Sequence, residues 1–175
     1  AVGLMVISTA INYMLNYVPT YATKTLGVAS STAYTATVVA GVILTVVTPM
    51  VGLLAEKVGR LPLMVGSLVL LLVTVYPGFS LTISYLSPTS LILLIGWLAL
   101  LKSVYFATVP SMMADIFPVK TRATGMALSY NVAVTVFGGF APMICTSLIS
   151  LTGSSLAPSY YLIVVGFMSL FALYK

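Results

Sequence analysis

The chain has 175 residues, 61% hydrophobic and only 5% charged, with a net charge of +5. A soluble domain of this length could not hide so much apolar surface in one core, and a bilayer is crossed by roughly 20 apolar residues. The composition therefore excludes a water-soluble domain and predicts an all-α integral membrane protein with about six transmembrane helices and the lipid bilayer as its solvent.

The first predicted span covers about 1 to 22. Asn12 and Asn16 are one turn apart, as are Tyr13 and Tyr17, so a polar stripe faces one direction. A solute cavity needs such a stripe, and helix–helix packing can use one too. This stretch has no basic leader and no clear cleavage site, unlike a secretory signal peptide, and reads as a mature span. The second and third spans, about 31 to 55 and 62 to 85, are joined by a short charged turn running from Gly52 to Pro62. In that turn Gly52 permits close helix contact, Gly59 a tight bend, and Glu56 can face the positive amino terminus of a neighbouring helix. Lys57 and Arg60 supply cations, and the plain alternative is a turn that only sets topology.

The fourth span, about 89 to 113, carries Lys102 about twelve residues from either end, roughly 18 Å along the axis. A snorkelling side chain does not reach that far, so the ammonium is hydrated or paired. With Tyr105 on the same face, Lys102 is expected to receive a substrate carboxylate; the alternative is a structural cation bonded to backbone carbonyls or to the asparagines. Pro118 ends this helix, Thr121 is placed to cap the next, and Arg122 lies where it could pair with Asp115 or Glu56. The fifth span, about 122 to 150, holds Asn131 and Thr135 one turn apart, with Gly138 and Gly139 continuing that face toward another helix. Its polar face is open to both readings, cavity lining or packing. The sixth, about 158 to 175, is short.

The basic residues are few and stand beside hydrophobic segments, which suits topology signals and excludes nucleic acid as a partner. The positive-inside rule places Lys57, Arg60, Lys120, Arg122 and Lys175 in the cytoplasm with both chain ends, and Lys24 outside. The sequence contains no histidine and one cysteine, Cys145, so neither a metal site nor a disulfide framework can be assembled. The usual enzymatic constellations are equally out of reach, a Ser103–Lys102 dyad is formally possible but its members point about 100° apart on a helix, and no cofactor is expected. A chain that opens on Ala1 directly inside a span and stops at Lys175 is expected to be a fragment at both ends.

Two motifs carry a family resemblance. The run Gly52-Leu53-Leu54-Ala55-Glu56-Lys57-Val58-Gly59-Arg60 resembles the signature turn of the major facilitator superfamily, with Glu56 in place of the commoner Asp and Leu61 in place of a second base. Asp115-Ile116-Phe117-Pro118, then Arg122, Tyr130-Asn131 and Phe137-Gly138-Gly139, is similar to the metabolite:proton symporter branch, which includes citrate, 2-oxoglutarate, shikimate and proline/betaine carriers. The likeness extends to Tyr17-Val18-Pro19-Thr20-Tyr21 and Ala157-Pro158-Ser159-Tyr160-Tyr161, and so covers nearly the whole chain. It implies the carboxy-terminal six-helix half of such a carrier, an inverted 3+3 repeat in a bacterial inner membrane, with the amino-terminal half as its missing partner. It also implies a conformational latch built from Gly52, Glu56, Lys57, Gly59, Arg60, Asp115 and Arg122. Lys102, Asn12, Tyr13, Asn16, Tyr17, Tyr105 and Asn131 are the candidate ligands of a small metabolite. Glu56 and Asp115 both fall at span boundaries, so the coupling proton is expected on a carboxylate of the absent half. A non-transporting membrane subunit or sensor is the competing reading.

Overall fold

The computed structural model describes residues 1–174. Lys175, assigned above to the cytoplasmic side, lies outside the described residues. The helices are α1 Val2–Lys24, α2 Ser30–Val58, α3 Arg60–Tyr85, α4 Pro88–Phe106, α5 Val109–Ile116, α6 Arg122–Ala133, α7 Ala141–Thr152 and α8 Ala157–Tyr174, with a π-helical segment Val134–Gly139 between α6 and α7. α4 and α5 together form one span, Pro88–Ile116, and α6 to α7 another, Arg122–Thr152, so six spans are present as expected.

Local chemistry sets several ends. α4 begins with a capping box in which Ser87 and Ser90 satisfy each other's backbone N–H, followed by Pro88, whose missing N–H is needed by nothing in a first turn. α2 and α3 are separated by Gly59 alone, at φ +97, a conformation that strains any side-chain-bearing residue. Thr121 stands at the amino end of α6 but does not cap it with its side chain; its hydroxyl points to the Pro118 carbonyl at 3.5 Å.

The packing repeats with a two-fold pattern. The second span packs against the fourth, and the fifth, through α6 and the π segment, against the first. The third packs against the fourth, the sixth against the first, and the third and sixth touch each other. Exchanging spans one, two and three with four, five and six leaves this contact scheme unchanged, as an inverted pair of three-helix units requires. The α2–α3 turn and the α5–α6 connection meet at one end of the bundle, where Arg60 Nη1 and Asp115 Oδ2 are 2.8 Å apart. At the centre α1 and α4 lie side by side, and the buried core collects around them.

Candidate functional site

Lys102 sits at the midpoint of the fourth span, about 20 Å from either end. The residue is only 7% exposed. Its Nζ donates to Asn12 Oδ1 of α1 at 2.5 Å and stands 5.8 Å from the centre of the Phe106 ring. Among the described residues the one ion pair is Arg60–Asp115, at the charged end, and none of their carboxylates neutralises the ammonium. An ammonium has three donors, and a single amide oxygen leaves capacity for a further acceptor. Phe106 lies one turn beyond Lys102 and contributes its ring face, which attracts cations weakly.

A cavity of about 180 Å³ opens beside this pair. α1 supplies Ser8, Thr9, Asn12 and Tyr13, α4 supplies Lys102 and Phe106, and the fifth span closes it with Tyr130 and Val134. Ser8 and Asn12 share a face because they are four residues apart. Thr9 bends its hydroxyl back onto the Met5 and Val6 carbonyls, at 2.9 and 3.0 Å, so it offers the cavity mainly its methyl group and an occupied oxygen.

Both irregular stretches of the bundle border this cavity. The fourth span is not the continuous helix expected from its hydropathy: α4 stops at Phe106 and α5 starts at Val109. The cause is Pro110, which has no N–H to give to the Phe106 carbonyl four residues earlier. Thr108 turns back tightly instead, its N–H at 3.3 Å and its hydroxyl at 2.9 Å both reaching the Tyr105 carbonyl. In the fifth span the π segment begins at Val134, a cavity residue, and Tyr161 of α8 donates its hydroxyl to the Phe137 carbonyl inside it. Gly138 of the same segment lies under the Tyr13 ring; a Cβ there would come within 2.6 Å of the ring. Irregular backbone at membrane depth survives where protein or a cavity satisfies it, and π turns concentrate at functional sites.

The other sequence candidates fall into distinct places. Asn12 and Asn16 are both exposed, one turn apart on α1, and of the two only Asn12 borders the cavity. Tyr17 exchanges a 3.0 Å hydrogen bond with Thr146 of α7 and does not border the cavity. Tyr105 is buried with its hydroxyl donated to the Leu4 carbonyl at 2.9 Å. Asn131 is exposed away from the cavity, and its neighbour Tyr130 takes the lining position. Ser8, Thr9, Phe106 and Val134 escaped the sequence reading, and Tyr130 entered it only through the Tyr130-Asn131 motif, although Ser8 precedes Asn12 by one turn and Phe106 follows Lys102 by one turn.

At the charged end the geometry is specific. Asp115 pairs with Arg60, whereas Arg122 donates through Nε to the Phe117 carbonyl at 3.4 Å. Glu56 and Lys57 are exposed, and a Cβ on Gly52 would meet nothing within 4 Å among the described residues, so the close helix contact expected at Gly52 is not made there. The Arg60 and Asp115 side chains are 44% and 66% exposed, a setting in which an ion pair adds little stability. Its effect is geometric: it ties the turn after the second span to the end of the fourth.

The profile of the Major Facilitator Superfamily matches residues 1–174. Among curated proteins, the citrate-proton symporter of Klebsiella pneumoniae is 28% identical over 163 residues, 91% of this chain and 37% of that protein. An ectoine/proline transporter of Corynebacterium glutamicum is 28% identical over 164 residues, 92% of this chain and 32% of its own length. A Staphylococcus aureus protein provisionally named a proline/betaine transporter is 30% identical over 164 residues, 90% of this chain and 34% of its own. The chain thus spans about a third of the length of the curated relatives it matches. No solved structure matches it significantly.

Proposed function

This chain belongs to the Major Facilitator Superfamily, and from that premise we propose that it is the carboxy-terminal six-helix half of a proton-coupled secondary carrier for a small carboxylate-bearing metabolite. One observation carries the reading: a lysine ammonium at mid-membrane depth whose partner is a neutral amide, at the edge of a cavity lined by aromatic rings and a few polar groups. Burying such a charge disfavours the fold by several kcal/mol unless an anion or water completes its shell, and a solute carboxylate is the acceptor that a carrier brings. The six helices supply one wall of the path, and the rest of the carrier supplies the other and the proton-binding carboxylate.

The cavity's chemistry narrows the solute. It holds one uncompensated cation together with the rings of Tyr13, Phe106 and Tyr130. A single carboxylate suits the ammonium, and a cationic or apolar remainder suits the rings. A zwitterion with one carboxylate therefore fits this half better than a tricarboxylate, which would draw further cations from the other half. The charged end, with Lys57, Arg60, Lys120 and Arg122, is the cytoplasmic one in a bacterial inner membrane, and Lys24 is external.

The test is uptake into proteoliposomes by the whole carrier under an inward proton gradient, with proline, glycine betaine, ectoine and citrate as labelled solutes. Saturable uptake of a zwitterion that Lys102→Met abolishes at normal protein levels is the expected result. Undiminished uptake by that variant removes the proposal, and uptake of citrate alone removes the narrowing.

A further inference from the structure

The inner halves of α1, α4 and α8 are joined by hydrogen bonds that no solute contact explains. Ser169 of α8 is fully buried, and its hydroxyl accepts from the Ile7 N–H at 3.0 Å while donating to the Gly3 carbonyl at 2.8 Å. In a regular helix those two backbone groups are each other's partners, so the α8 hydroxyl stands on one rung of the α1 ladder. The approach is close: a Cβ on Gly3 would lie 2.3 Å from the Ala172 Cβ. On the adjoining rung, the Leu4 carbonyl accepts the Tyr105 hydroxyl of α4 at 2.9 Å.

These contacts line up with the site. Leu4, Ser8 and Asn12 are spaced by four on α1 and share the face toward α4, while Lys102 and Tyr105 are spaced by three on α4. The two antiparallel helices are therefore fixed at two points, Leu4 with Tyr105 and Asn12 with Lys102, with Ser8 between them at the cavity wall. Turning α1 by one residue, about 100°, would carry Asn12 away from Lys102. A two-point attachment to α4, with the first turn also held by α8, excludes that rotation.

We propose that Tyr105 and Ser169 are positioning residues, which hold α1 in the rotation that aims Asn12 at Lys102 and keeps the ammonium facing the cavity. Neither residue touches solute in this proposal; both act through Asn12. Its transport arm rests on the reading of Lys102 as the solute ligand, and its structural arm does not.

The experiment uses the whole carrier, otherwise free of cysteine, with Asn12→Cys and Lys102→Cys in membranes and a short bifunctional thiosulfonate as crosslinker. Tyr105→Phe and Ser169→Ala are each compared with Ser103→Ala, which removes an equally buried hydroxyl that bonds only its own helix, at the Ala99 carbonyl. The expected result is crosslinking slowed about five-fold or more by the first two variants and left unchanged by the third. Parental rates in Tyr105→Phe and Ser169→Ala overturn the proposal, as does equal slowing by Ser103→Ala. In parallel, Tyr105→Phe and Ser169→Ala in the native-site carrier should raise KM about ten-fold with kcat within about two-fold, the pattern of lost ligand positioning. Slowed crosslinking with unchanged KM supports the positioning and overturns Lys102 as the solute ligand.

Discussion

α1 and α2 adjoin in the chain and are opposites in the bundle. α1, the least apolar of the six spans, is 67% buried across its membrane window, while α2, the most apolar, is 17% buried. In water that order would be reversed. In lipid the apolar helix has no reason to hide, whereas α1 is drawn inward, where its Asn12 meets Lys102 of α4 while Asn12 and Asn16 both keep exposed surface. Span four shows the same logic at 61%, with Lys102 at its middle. The polar helices of this chain thus form its centre because they build the cavity.

The contrast can be broken experimentally, and the largest effect is expected inside α1. Asn12→Leu removes the partner of a buried ammonium and should reduce uptake about 150-fold or more, because an uncompensated charge costs about 3–5 kcal/mol. Asn16→Leu, likewise exposed but outside the cavity lining and not bonded to Lys102, should change uptake by less than about three-fold. Equal losses would show that the stripe acts as a whole and that the Asn12–Lys102 bond is not its focus. A middle-sized effect compares glycines across the two environments. Gly138→Ala pushes a methyl into the Tyr13 ring and should lower stability by about 1–3 kcal/mol in detergent unfolding. Gly41→Ala on exposed α2 meets nothing within 4 Å and should be neutral or stabilising by up to about 1 kcal/mol. If both destabilise equally, α2 is packed in a way this chain does not show.

The smallest effect on stability belongs to the charged end. Arg60→Gln should cost under about 1 kcal/mol, since both partners are substantially exposed. It should nevertheless shift solvent access to the cavity, read as a change in alkylation rate of a cysteine at Asn12. An unchanged rate would show that the tie between the α2–α3 turn and α5 does not bias the conformational exchange.

Much of the fold was legible because hydropathy and charge act along the chain: six apolar runs are separated by Lys24, the Glu56-to-Arg60 turn, the proline after Ser87, the Asp115-to-Arg122 connection and Gly153. Lys102 was legible for the same reason, as a charge too deep to snorkel. What stayed hidden depends on helix phase against neighbours. Tyr130 and Asn131 differ by one residue, about 100° of rotation, and only packing against α1 decides which of them reaches the cavity. The π segment resets that phase after Val134, and no residue pattern in the fifth span announces it. Pro110 did signal a break in span four, yet an uninterrupted apolar run masked it. Tyr105 shares a face with Lys102, but the Leu4 carbonyl takes its hydroxyl, and a backbone acceptor on another helix leaves no mark in sequence.

The central claim is that the Lys102 ammonium binds the solute's carboxylate, and equilibrium binding to the purified whole carrier tests it without dependence on the proton gradient. Lys102→Met should weaken the affinity for a transported zwitterion about 30-fold or more, in line with the loss of a charged hydrogen bond at a site sheltered from water. A parental Kd in a folded variant would contradict the claim and return Lys102 to a purely structural cation held by Asn12.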